Sequence, residues 1–201
     1  MKKTVLLFAI ALFGIGASVN AQEYWKFGIK GGVNFTNMTS DGFDETNSRT
    51  GFNIGLLAEI PAGDRFSVQP EVLYSTQGTE ATRTVAGNTY TGEYQLDYIQ
   101  VPVLAKFYLV DGLALEAGPS FNFLVNEKYD YSGTLLNSET NTDMASSFEF
   151  AGAAGLSYKF NNGFFLDGRY VQGFTDAFDS SNWDEDAVKN NGFQLGVGFE
   201  F

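Results

Sequence analysis

From Trp25 onward, apolar and polar residues change places at every second position. Trp25, Phe27, Ile29, Val33 and Phe35 share one face of the first such stretch, with Lys26, Gly28, Lys30, Gly32 and Asn34 on the other. The last stretch sets Phe193, Leu195, Val197, Phe199 and Phe201 against Gln194, Gly196, Gly198 and Glu200. Successive side chains of a strand point to opposite faces, so a period of two predicts strands with one apolar and one polar face. Six further segments follow the same rule: Phe52 to Ile60, Phe66 to Ser75, Ile99 to Phe107, Leu113 to Phe123, Phe148 to Phe160 and Phe164 to Val171. The pattern therefore predicts eight strands.

The connections between them alternate in length. Pro61-Ala62-Gly63-Asp64, Val110-Asp111-Gly112 and Asn161-Asn162-Gly163 are short and carry the residues that hairpin turns favour. The others, 37–49, 78–93, 126–146 and 175–191, are long. Strict alternation places every short turn at one end of an up-and-down meander, together with both chain ends. This is the layout of an all-β, eight-stranded antiparallel transmembrane β-barrel, with short periplasmic turns and longer extracellular loops.

The two faces distinguish this barrel from a water-soluble one of lipocalin type, whose interior is apolar. One face here carries most of the Phe, Tyr and Leu side chains. The other carries Lys26, Lys30, Lys106, Lys159 and Arg169 with Glu59, Glu71, Glu116, Glu149, Asp167 and Glu200. Turned into a narrow lumen, these five cations and six carboxylates form an ion network by mutual neutralisation, while the apolar face meets lipid. Closure of the sheet leaves no open edge, as the hydrocarbon interior requires. Aromatics near the strand ends fit two interfacial girdles. One comprises Tyr24, Trp25, Phe107, Tyr108, Phe160, Phe164 and Phe165, and the other Phe35, Tyr74, Tyr94, Phe123 and Phe148.

The first 21 residues read as a signal peptide. Lys2 and Lys3 precede the apolar run Val5 to Phe13, and the small-residue stretch Gly14 to Ala21 ends at a cleavage site between Ala21 and Gln22. Val5 to Val19 is too short for a spanning helix, which needs about 20 residues. Cleavage removes two lysines, taking the net charge from −12 to −14 and leaving residues 22–201 as the barrel domain. The expected location is the bacterial outer membrane.

Composition narrows the chemistry. The chain has no Cys, hence no disulfide and no catalytic thiol, and no His, the commonest metal ligand and general base. Its acidity disfavours nucleic acid, which recruits basic patches. Glu59, Glu71, Glu116 and Glu149 are candidates for acid–base work, but the lumen network accounts for them. The acidic stretch Asp176 to Asp186 lacks the Gly and distal Glu of a calcium loop, and reads as a solvated loop. Gly28, Gly31 and Gly32 lie within a strand and precede no helix, so they form no phosphate loop. No catalytic, cofactor-binding or metal-binding residue and no cofactor is predicted. The long loops hold a net −10, most of the chain's charge. A non-enzymatic structural or surface-interaction role is expected, with outer-membrane lipids and an unidentified extracellular ligand or protein as partners. A narrow pore for small solutes is the first alternative.

Several stretches resemble the PorT-like outer-membrane β-barrel proteins of Bacteroidetes. They are Phe66-Ser67-Val68-Gln69-Pro70-Glu71-Val72-Leu73-Tyr74-Ser75-Thr76-Gln77-Gly78, Tyr98 to Tyr108, Leu115-Glu116-Ala117-Gly118-Pro119 and Gly28 to Phe35. The resemblance spans the first five strands and implies the same fold and compartment. It also raises a second alternative, an accessory part in protein secretion. The terminal Phe201 resembles the C-terminal signal read by the barrel-insertion machinery.

Overall fold

The computed structural model describes residues 25–39, 47–85, 88–133, 137–140, 145–177 and 188–201. The proposed signal peptide with its Ala21–Gln22 cleavage site, Tyr24, and most of the acidic stretch 176–186 lie outside the described residues. In chain order the strands are β1 (Lys26–Thr39), β2 (Asn47–Pro61), β3 (Phe66–Val85), β4 (Asn88–Val110) and β5 (Leu113–Gly133). They continue as β6 (Asn137–Thr140), β7 (Phe148–Lys159), β8 (Phe164–Gly173) and β9 (Lys189–Glu200).

Eight of these strands close into an antiparallel barrel. Sequential neighbours pair, β5 pairs with β7, and β1 pairs with β9 to seal the ring. At the seam Val33 stands opposite Leu195, and on its other side opposite Phe52. The ninth strand, β6, lies outside the ring and pairs only with the upper part of β5, from Tyr129↔Thr140 to Ser132↔Asn137.

Alternation decides which side faces out. Ile54, Leu56 and Leu195 are more than half exposed, whereas Lys30, Glu71 and Arg169 are no more than 2 % exposed. The outer wall is thus apolar and the interior polar, the reverse of a water-soluble barrel. Aromatic pairs line the wall near both ends, among them Tyr158–Phe160, Phe164–Phe199 and Phe123–Phe148. Three members of the expected girdles turn inward instead: Phe165 is 3 % exposed and Tyr94 is 9 % exposed, and Tyr108 bonds a lumen carboxylate. Their neighbours in sequence, Phe164 and Phe107, occupy the outward positions.

The short turns are tight as expected. Gly163 has φ +90°, a left-handed conformation that costs a side-chain-bearing residue energy. The long connections differ from expectation. β3 and β4 stay paired to Val85↔Asn88, and β5 follows β4 as far as Tyr90↔Gly133. These strands have 20, 23 and 21 residues, about twice the 9–11 that cross a bilayer. Much of the expected loops 78–93 and 126–146 is therefore a raised sheet of four strands, the upper parts of β3, β4 and β5 with β6 added. Along 79–93 the sequence has no sustained alternation of large apolar residues, so the pattern that marks a spanning strand fades there.

Candidate functional site

The inward side chains fill the lumen in layers. At the short-turn end, Lys159 on β7 bonds both Glu59 on β2 (3.1 Å) and Glu200 on β9 (3.0 Å). Lys106 on β4 lies 3.6 Å from Glu59, and the Tyr108 hydroxyl donates to Glu59 at 2.6 Å. Next come Lys30 on β1, Glu71 on β3, Glu116 on β5, and Asp167 and Arg169 on β8. Lys30 donates to Asp167 at 2.7 Å and lies 3.9 Å from Glu71. Arg169 grips Glu71 with two hydrogen bonds and pairs with Glu116 at 3.1 Å and with Asp167 at 3.7 Å. Gln69 joins the two groups, accepting from Lys106 at 2.9 Å and donating to Glu71 at 2.7 Å.

Nine of the eleven residues expected in the network thus come together. Lys26 does not. It lies on the inward-facing parity but at the rim, exposed, beside an open depression of about 590 Å³ shared with Glu59, Arg65, Tyr108 and Lys159. Alternation gives a residue's face and not its depth, which is why the sequence misplaces it. Glu149 is buried, yet it sits one layer higher among neutral groups and bonds Asn122 at 3.0 Å.

That third layer is made of amides and hydroxyls. Asn34 donates to Ser75 and accepts from Asn53, while Gln194 donates to Gln100 and Ser120 to Asn122. Above it, Met38, Tyr94, Leu96 and Tyr98 form a buried apolar cluster, with Leu124, Ala145 and Val188 packed against it. Sequence reasoning missed this cap. The clue was Tyr94-Gln95-Leu96-Asp97-Tyr98, an alternating run just past the strand as first delimited. Glu127 fastens the cap, accepting from the Tyr94 hydroxyl and from the Ala145 backbone N–H.

On the outer wall the apolar band ends at a polar belt. The Tyr74 hydroxyl and Asn126 amide donate to Asp97 at 2.9 and 3.0 Å. Arg49 reaches Glu93 at 2.6 Å and Gln95 at 2.8 Å, its stem lying over Gly78. A side chain at position 78 would occupy the path of that arginine, 3.1 Å from its Cδ.

Chemically, the two lower layers pair their carboxylates with cations, and the layer above joins amides and hydroxyls to one another and to Glu149. It ties strands together and fills the bore. A family model described as outer membrane protein beta-barrel domain matches residues 20–179. The chain belongs to this family. Membership places the barrel in the outer membrane.

Solved structures share this fold. The attachment invasion locus protein Ail of Yersinia pestis is 17 % identical, with a TM-score of 0.54 over 89 % of this chain and 100 % of that one. Ail is also known in complex with the heparin analogue sucrose octasulfate. Neisserial surface protein A is 14 % identical, with a TM-score of 0.57 over 89 % of this chain and 100 % of the other. No curated protein sequence matches the chain.

Proposed function

We propose that this barrel is a non-enzymatic surface protein whose filled interior passes no solute and whose raised end carries its interactions. The observation that carries this reading is the bidentate Arg169–Glu71 bond across the lumen, backed by the layers on either side of it. Eight strands leave a bore that side chains just fill, and here they fill it with paired charges, amides and an apolar cap. The short turns face the periplasm and the β3–β4–β5 sheet faces outward, as in other outer-membrane barrels. Binding residues concentrate on loops held by rigid scaffolds, and this sheet together with its acidic neighbours is such a platform.

The partners follow from the same reading: lipid around the apolar wall, the insertion machinery at Phe201, and an extracellular ligand or protein at the raised end. The segments resembling PorT-like proteins of Bacteroidetes include Lys30, Glu71, Lys106 and Glu116, four lumen-network residues. Within that family an accessory role in secretion is the alternative. A deletion strain separates the two. Complementation with a barrel whose 81–91 hairpin tip is replaced by a tight turn should fail to restore surface phenotypes while leaving secreted proteins unchanged. Full rescue by the shortened hairpin would refute the platform reading, and a secretion defect in the deletion strain would favour the alternative.

A further inference from the structure

At the short-turn end the lumen is not filled to its rim. The depression beside Lys26 has a volume of about 590 Å³, within the ~300–1,000 Å³ of ligand pockets. Lys159 lies at its inner end. The ammonium donates to Glu59 and Glu200 and stands 5.7 Å from the centre of the Tyr108 ring, so three partners fix its position. An ammonium has three hydrogens to donate, and these bonds leave one. The Lys159 side chain is 19 % exposed, whereas those of Glu59 and Glu200 are 3 % exposed. Deep in the depression, therefore, a ligand meets a cation whose carboxylate partners are covered.

Four exposed charges line the same depression nearer its opening. Lys26 starts β1, Asp64 and Arg65 belong to the β2–β3 turn, and Asp111 belongs to the β4–β5 turn. Among the described residues none of the four forms an ion pair. The network beneath them is already neutral, with Lys106 and Lys159 against Glu59 and Glu200. A ligand of one sign would thus meet two charges of its own sign, whereas a ligand bearing both signs meets complements. We propose that this depression binds a zwitterion of the amino-acid or short-peptide class. Its carboxylate accepts the remaining Lys159 hydrogen with Lys26 and Arg65 in support, and Asp64 and Asp111 hold its ammonium. Leu109 and Val110 also line the depression and give the ligand's carbon atoms an apolar wall. A sulfate or phosphate ion has no ammonium to offer the two aspartates. Because the network beneath is closed, the ligand stops at the mouth and does not pass through. This site lies at the opposite end of the barrel from the raised sheet and goes beyond the surface role proposed above.

The test is calorimetric titration of the full barrel in nonionic micelles at neutral pH and low salt. The probes are alanyl-alanine, its N-acetyl form and its C-terminal amide. The free dipeptide should bind about tenfold more tightly than either capped form. Lys26→Gln combined with Arg65→Gln, and separately Asp64→Asn combined with Asp111→Asn, should each weaken it about fivefold. All four positions lie outside the ion network, so both double variants should keep the wild-type urea midpoint. Lys159→Met should abolish binding, and should it fail to fold, the two double variants decide the matter. No binding of alanyl-alanine by the wild type would overturn the proposal. So would capped forms that bind as tightly as the free dipeptide, or undiminished binding in any of these variants that folds.

Discussion

Arg169 on β8 and Glu71 on β3 are joined by two parallel hydrogen bonds, 2.9 Å from Nη1 to Oε2 and 3.0 Å from Nη2 to Oε1. The two strands lie on opposite sides of the ring, so this single pair ties the barrel across its diameter. The forked geometry is the strongest form of such a contact. Glu116, Asp167 and Lys30 complete the surroundings, and neither member of the pair reaches water.

Removing one member of a buried pair leaves the other charge uncompensated. Arg169→Ala should therefore lower the stability of the folded barrel by about 3–5 kcal/mol, more than any substitution in the described turns. Glu71→Ala together with Arg169→Ala should cost clearly less than the sum of the two single changes. Reversible urea titrations in lipid vesicles measure all three, and strict additivity would deny the coupling.

Lipid exposure predicts a different pattern on the wall. Leu195 is 56 % exposed on β9, opposite Val33 and Gly168. Leu195→Arg should weaken the barrel by ~2–4 kcal/mol if it lies near mid-membrane, whereas Lys189→Ala at the strand's end should change stability by less than about 0.5 kcal/mol. The same titration checks both. A Leu195→Arg barrel as stable as the wild type would place that face in water.

Two glycines should respond oppositely to alanine. Gly163 has φ +90°, and a Cβ there would fall 2.5 Å from the Glu200 carbonyl oxygen. Gly163→Ala should cost about 1–2 kcal/mol. Gly31 has only the Asn53 carbonyl near its Cβ position, at 3.7 Å. Gly31→Ala should be neutral or stabilise by about 0.4–1 kcal/mol through the unfolded chain. Thermal or urea unfolding of the two variants side by side gives the comparison.

Orientation is open to labelling because the chain has no native cysteine. An impermeant thiol reagent on whole cells should modify Lys189→Cys and spare Asn162→Cys. Modification of position 162 alone would invert the topology.

The spanning part of the barrel is legible in the sequence because lipid and lumen impose opposite polarities on adjacent residues. Phe193 to Phe201 and Phe164 to Val171 read plainly for that reason. Inward apolar residues were harder. Leu57, Leu73 and Leu104 sit inside unbroken apolar runs such as Leu56-Leu57-Ala58, which hide the parity. The raised sheet was not legible because Gly78-Thr79-Glu80-Ala81-Thr82-Arg83-Thr84 carries no alternating run of large apolar residues. Its β-branched threonines were the remaining sign of a strand. Network membership depended on position around and along the ring. Sequence could group Arg169 with the lumen carboxylates, but only the structure shows that Glu71 faces it and that no described cation pairs with Glu149.

The central claim is that paired charges, amides and an apolar cap close the interior. Recording from the wild-type barrel reconstituted in a planar lipid bilayer at neutral pH tests it most directly. A closed lumen predicts no stable stepwise conductance at any moderate voltage. Stable, ion-selective openings would contradict the account and make the barrel a pore.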